Sequence, residues 1–201
     1  VSHTPMNDRL GISGGGPLAD TRRFVEALQS QKRVGDLPPI VLAAMRDQMC
    51  ALSVEISQGM VFANAARSAF PGTLERCPGR SAEFFIGGMI PTCISDDRDA
   101  AAALMRKTVS MEVGLPNYRN YWKQCGYLPE MEAIKAAQAA GDHGPVPALM
   151  SERWLGDCTL YGPVDEVRHG LDEWFAAGPS TPILVPSSLN GGTANGVRRN
   201  V

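Results

Sequence analysis

Arg46 and Asp47 follow directly on the apolar run Ile40-Val41-Leu42-Ala43-Ala44, and Met45, Met49, Leu52 and Ile56 continue beyond it at helical spacing. A strand that turns straight into a helix leaves the first backbone N–H groups and the positive end of the helix dipole at the turn, where an anion is favoured. Arg46 adds a cationic side chain there; on the plainer reading Arg46 is a solvated surface residue and Asp47 an acid suited to a first helical turn. His3 can exchange a proton near neutral pH, or serve as a hydrogen-bonded structural residue after a strand. Asn64 offers an amide to a ligand, or closes a turn. Cys93 has no base near it in sequence and reads as a small buried residue rather than a nucleophile. Tyr118, Tyr121 and Trp122 share one helical face, which would serve packing, a cavity wall or a subunit contact.

Other chemistries find less support. His3, His143 and His169 are far apart, and Cys50, Cys77, Cys93, Cys125 and Cys158 include no CxxC or Cys/His pairing, so no metal is expected and the thiols read as reduced ones in a cytoplasmic protein. With 19 basic and 21 acidic residues interspersed, the net charge of -2 leaves no footprint for nucleic acid or an anionic membrane. The apolar stretch Phe84 to Ile94 is broken by Gly87, Gly88, Pro91 and Thr92 and is no membrane span. A 201-residue chain with 44% hydrophobic and 20% charged content fits one domain, or most of one, working on small molecules.

Several elements must position these residues. The spacing of Leu18, Thr21, Phe24, Val25 and Leu28 predicts a helix from Pro17 to Gln31. Ile40–Ala44 reads as a strand buried on both faces, Gly59 as the stop of the helix after it, and Met60–Ala63 as a second buried strand. A short helix around Arg67 to Phe70, then loop, leads to a strand at Phe84–Ile94, with Ser95 the N-cap of the next helix. Leu115 to Met150 is a helical excursion containing the helix Glu130–Ala140. Pro163 opens a helix with Val164, Val167, Leu171, Trp174 and Phe175 on its apolar face, Gly178 stops it, and Pro182–Pro186 is a final buried strand. Such alternation implies an α/β fold with parallel strands.

Taken in order, Pro39–Met45, the helix ending near Gly59, Ile90-Pro91-Thr92-Cys93-Ile94-Ser95, Gly162–Val167 and Pro182–Ser188 resemble the later half of the luciferase-like, deazaflavin-dependent oxidoreductases. The opening Val1-Ser2-His3, Leu10-Gly11 and the helix containing Glu26 resemble the segment after the fourth strand in that family. The resemblance implies a partial (β/α)8 barrel of about strands 4/5 to 8. Residues 1–188 would be its C-terminal part and 189–201 a flexible Gly/Asn-rich tail in place of the last helix. It further implies an oxidoreductase that, in complete form, transfers a hydride between a deazaflavin coenzyme (F420) and an unknown organic substrate. A monooxygenase using reduced FMN and a non-catalytic fragment or interaction module are the alternatives. A homo-oligomer is implied for the complete form.

In such a barrel the chemistry gathers at the C-terminal strand ends. The positions there are Ser2 and His3, Ala44 to Gln48, Ala63 to Ala65, Pro91 to Cys93, and Ser187 and Ser188. The resemblance assigns coenzyme contacts to Ser2, His3, Ala44, Met45, Arg46, Asp47, Gln48 and Asn64, with the coenzyme phosphate at the start of the helix after Ala44. No acid or base is assigned, beyond His3 as a weak candidate.

Overall fold

The computed structural model describes residues 4–11, 15–31, 33 and 35–190. Two helices, α1 (Thr4–Arg9) and α2 (Pro17–Gln29), precede the first strand, β1 (Val41–Ala43). Next come α3 (Asp47–Ile56), β2 (Gly59–Ala63), a 3-10 turn at Arg67–Ala69, α4 (Phe70–Glu75), β3 (Phe85–Ile94) and α5 (Arg98–Thr108). The excursion holds α6 (Ser110–Val113), α7 (Pro116–Gln124), α8 (Leu128–Ala139), α9 (Val146–Leu149) and α10 (Glu152–Cys158). The chain returns through β4 (Leu160–Gly162), α11 (Val164–Ala177) and β5 (Thr181–Pro186).

All strand pairings are parallel, as the alternation of strand and helix requires. The order is β1-β2-β3-β4, with β5 also on β3. Thr92 pairs with both Leu160 and Pro186, so β4 and β5 lie on opposite edges of β3, and β4 continues the edge that β2 leaves after Ala63. The fold is therefore α/β, with the parallel strands of a partial (β/α)8 barrel.

Register partners in a parallel sheet point to the same face, which separates two apolar sets. Met60, Phe62, Ile86 and Ile90 face the helices and are buried. Phe70 lies on Phe62 with ring centroids 4.6 Å apart, and Trp174 of α11 meets Phe70 edge-on at 5.9 Å. Fully burying a side chain of this kind stabilises the fold by about 1.5–3 kcal/mol. The opposite face carries Val41, Val61, Met89 and Ile183. No helix covers it among the described residues: Met89, in the central strand, is 37% exposed. Gly87 lets the neighbours on this face close in, since a Cβ there would stand 3.0 Å from both Val61 and Ile183 side chains.

The structure departs from the sequence expectations at several points. β1 and β5 are not buried on both faces, for they are edge strands on a half-covered sheet, with Val41 41% and Leu184 42% exposed. Gly59 begins β2 instead of ending α3; a Cβ on it would lie 2.8 Å from the Phe85 carbonyl oxygen, so the close strand approach is what its lack of a side chain permits. Asp97, not Ser95, caps α5, accepting the Ala100 N–H at 3.0 Å. Pro163 is the N-cap of α11 and not its first residue. Val164 and Phe175, expected on the apolar face of α11, and Phe24, expected on that of α2, are exposed, while Val167 and Trp174 of α11 are buried. The stretch expected as loop after Phe70 is helical as α4, and β4 has no counterpart among the expected strands. The expected tail falls mostly on residues 191–201, outside the described residues.

Candidate functional site

β1 runs into Ala44, which is buried and donates its N–H to the Val61 carbonyl at 2.9 Å. Arg46, still extended, is the N-cap of α3, and its carbonyl accepts the Met49 and Cys50 N–H groups. The N–H groups of Asp47 and Gln48 have no acceptor among the described residues, as the geometry of a helix start dictates. Arg46 is exposed and enters no ion pair among the described residues. Asp47 is held by Arg76, whose Nε and Nη2 lie 2.9 and 3.2 Å from its two carboxylate oxygens. That pair raises the Arg76 guanidinium above its usual range, through the hydrogen bond first and the charge of Asp47 after it.

These groups form one wall of a cleft of about 400 Å³. Met45, Arg46 and Asp47 line it with Ser68, Thr73 and Arg76, and Tyr121 of α7 and Cys125, the residue after α7, complete the lining. The first wall follows closely on the C-terminal end of β1, while Ser68, Thr73 and Arg76 come from the 3-10 turn, α4 and the end of α4. With Arg76 neutralising Asp47, the dipole end of α3 and the unpaired Arg46 leave the cleft suited to an anion.

Three of the proposed positions, Met45, Arg46 and Asp47, thus share the cleft. Ala44 is buried and Gln48 exposed, and neither lines the cleft. Asn64 stands apart at the end of β2 in a left-handed conformation, φ 55, which an Asn tolerates better than most residues. It is 9% exposed. Ser2 and His3 lie outside the described residues. At the end of β5, Ser187 donates its N–H to the Thr92 carbonyl and Ser188 accepts the Asn190 N–H. Cys93 is buried, and burial pushes its thiol up.

The excursion reaches back to the loop after β2. Trp122 Nε1 donates to the Asn64 carbonyl at 3.1 Å, and the Tyr121 hydroxyl accepts the Ala66 N–H at 3.1 Å. Asp157 accepts the Ser68 N–H at 2.9 Å, the Ser68 hydroxyl at 2.6 Å and the Tyr127 hydroxyl at 2.7 Å. Burial pushes the Tyr121 hydroxyl up, and burial followed by the Asp157 hydrogen bond does the same to Tyr127, so both stay protonated. Ser68, Arg76, Tyr127 and Asp157 escape sequence reasoning: 89 residues separate Ser68 from Asp157, and no local pattern joins them. Of the aromatic trio, Tyr121 and Trp122 are buried and Tyr118 packs on Trp122 at 5.5 Å, so the trio packs and Tyr121 also walls the cleft.

Burial and the neighbouring Cys77 thiol push Cys50 up to about 12, and burial takes Cys125 up to about 11. Neither is a nucleophile at neutral pH. All five cysteines are free. Among the described residues no group of three His, Cys, Asp or Glu side chains could hold a metal ion, and no helix is long and apolar enough to cross a membrane.

Two solved structures share the fold. The coenzyme F420-dependent tetrahydromethanopterin reductase from Methanopyrus kandleri is 21% identical, with a TM-score of 0.59 over 75% of this chain and 46% of its own. An F420-dependent secondary alcohol dehydrogenase, solved with an F420-acetone adduct, is 13% identical, with a TM-score of 0.53 over 81% of this chain and 47% of its own. The chain therefore spans about half the length of these proteins. No curated protein matches it. The family described as luciferase-like monooxygenase matches residues 15–181, most of the length and every strand up to the start of β5, and the chain belongs to that family.

Proposed function

We propose that this chain works in an oxidoreductase that transfers a hydride between a deazaflavin coenzyme, F420, and a small organic substrate. The observation that carries the reading is the cleft at the start of α3, where an unpaired Arg46 stands beside two backbone N–H groups without acceptors. Membership of the luciferase-like family and the F420-dependent activity named for both structural neighbours support it. The residues fit an anionic tail: the N–H groups and Arg46 would hold a phosphate, and Arg76 would keep the Asp47 charge from opposing it. The Asn64 amide would hydrogen-bond a ring or ribityl oxygen of the same molecule. Met45 would shape the rim beside the phosphate. When bound, the coenzyme supplies the hydride chemistry, and the protein supplies binding, orientation and exclusion of water.

Titration of the full chain with F420 and with FMN tests this. We expect F420 to bind and Arg46→Ala to weaken it by about 1–2 kcal/mol, the scale of one partly exposed charge-assisted hydrogen bond. Preference for FMN would move the protein to the reduced-flavin monooxygenases of the same fold. Binding of neither would reject the coenzyme reading.

A further inference from the structure

The segment Asn64–Ser68, at the mouth end of β2, is held by side chains that lie 55 to 89 residues away in sequence. Trp122 takes the Asn64 carbonyl, Tyr121 the Ala66 N–H, and Asp157 the Ser68 N–H. All three holders are buried, with Trp122 at 0% and Asp157 at 7% exposure; the bonds to Asn64 and Ala66 are shielded from water, while the bond of Asp157 to the exposed Ser68 is part-buried. From the other side the Asn64 N–H donates to the Met89 carbonyl at 3.2 Å. Asn64 is thus gripped at both backbone groups in a left-handed conformation that a side chain disfavours. What the grip leaves unspent is its side-chain amide. Asn64 is nine-tenths buried, yet that amide has no hydrogen-bond partner among the described residues. Nor is it one of the sealed unpaired groups, which are Glu112 Oε2, Trp154 Nε1 and Trp174 Nε1, so it keeps a path to solvent. A nearly buried amide with free donors and a free acceptor, fixed in an unfavourable backbone state, is an incomplete polar site.

We propose that Trp122, Tyr121 and Asp157 are positioning residues: the helical excursion fixes the loop after β2 so that the Asn64 amide meets a polar ligand group. That group is a ring carbonyl or a hydroxyl of the coenzyme, an assignment that rests on the function proposed above. Trp122 and Asp157 then serve binding without lining the cleft, while Tyr121 both holds the loop and forms part of the cleft wall.

The test uses three variants of the full chain. Asn64→Gly permits the left-handed backbone and removes the side chain with its amide; Trp122→Phe keeps one aromatic ring and removes the N–H donor together with the second ring of the indole; the third combines them. Backbone hydrogen exchange, read without ligand, should show the amides of Asn64–Ser68 exchanging about tenfold faster in Trp122→Phe and unchanged in Asn64→Gly. Titration with F420 should show each single variant binding roughly five- to tenfold more weakly, and the double variant no more weakly than Asn64→Gly alone. Tyr121→Phe, which frees the Ala66 N–H, should speed exchange in the same segment and serves if Trp122→Phe fails to fold. Unaltered exchange in both Trp122→Phe and Tyr121→Phe overturns the clamp, whatever binds. Additive losses in the double variant overturn transmission through Asn64. If the wild type binds neither F420 nor FMN, the coenzyme reading and the role given to the Asn64 amide fall together, while the exchange data still decide whether the excursion holds the loop.

Discussion

The guanidinium of Arg76 embraces the carboxylate of Asp47 with two hydrogen bonds, at 2.9 and 3.2 Å, directly beside the free N-terminus of α3. Asp47 favours the helix dipole, but its charge stands where an anionic ligand would sit. Two effects of Asp47→Asn should therefore oppose each other. Stability should fall by about 0.3–1 kcal/mol as the favourable dipole contact is lost, while F420 binding strengthens severalfold. The gain should shrink in high salt, because both side chains of the pair are about half exposed and screened. Thermal melts and titrations at two ionic strengths check it; weaker binding in Asp47→Asn would show that the carboxylate helps hold the ligand.

Two glycines should respond in opposite directions to alanine. A Cβ at Gly59 would lie 2.7 Å from Phe85 Cβ and 2.8 Å from the Phe85 carbonyl oxygen, so β2 and β3 would have to part. Gly59→Ala should cost about 1–3 kcal/mol in urea unfolding. Gly156, inside α10, has nothing within 4 Å of such an atom, and Gly156→Ala should stabilise by about 0.5–1 kcal/mol through helix propensity and a less free unfolded chain.

Glu152 accepts the Tyr161 hydroxyl at 2.7 Å and pairs with Arg106 and Arg98. The Tyr161 hydrogen bond first, and then Arg106, hold its carboxyl below the ordinary 4.5. A group depressed on folding contributes stability that is fully present above its unfolded value and is lost as pH falls through its folded value. Glu152→Gln should therefore unfold at a lower urea concentration than the wild type at pH 7. The difference should narrow below about 4.5 and close once the wild-type carboxyl is protonated. A constant difference from pH 7 to pH 3 would show that packing, not charge, explains the loss.

The bare sheet face bearing Val41, Val61, Met89 and Ile183 leads to a prediction about residues 1–201 expressed by themselves. They should self-associate with rising concentration, and Met89→Lys should reduce it by placing a charge at the centre of the face. Light scattering reads the result directly. A concentration-independent monomer would mean that the face is covered in solution.

Much of the scaffold is legible in sequence because it rests on local rules. The apolar runs at Val41, Met60, Phe85 and Pro182 announce strands, and Gly178, at φ 116, ends α11 where expected. β4 is not legible: three residues, Leu160-Tyr161-Gly162, owe their extended state to pairing with Thr92–Ile94 and to nothing in their own pattern. The site divides in the same way. Arg46 and Asp47 are found from a strand-to-helix junction, a feature of adjacent residues. Arg76 and Asp157 are found only when helices far apart in the chain are brought together, since a lone arginine or aspartate in sequence looks like any solvated charge.

β3 is the one described strand that pairs with three others, taking β2 and β4 along one edge and β5 along the other. The outer strands can fray singly: releasing β1 breaks only its ladder to β2, and releasing β5 only its ladder to β3. β3 cannot leave without dissolving every other pairing except β1 with β2. Loss of the sheet is therefore graded at its margins and all-or-none at its centre, and the last native structure to disappear on unfolding should be the ten residues from Phe85 to Ile94.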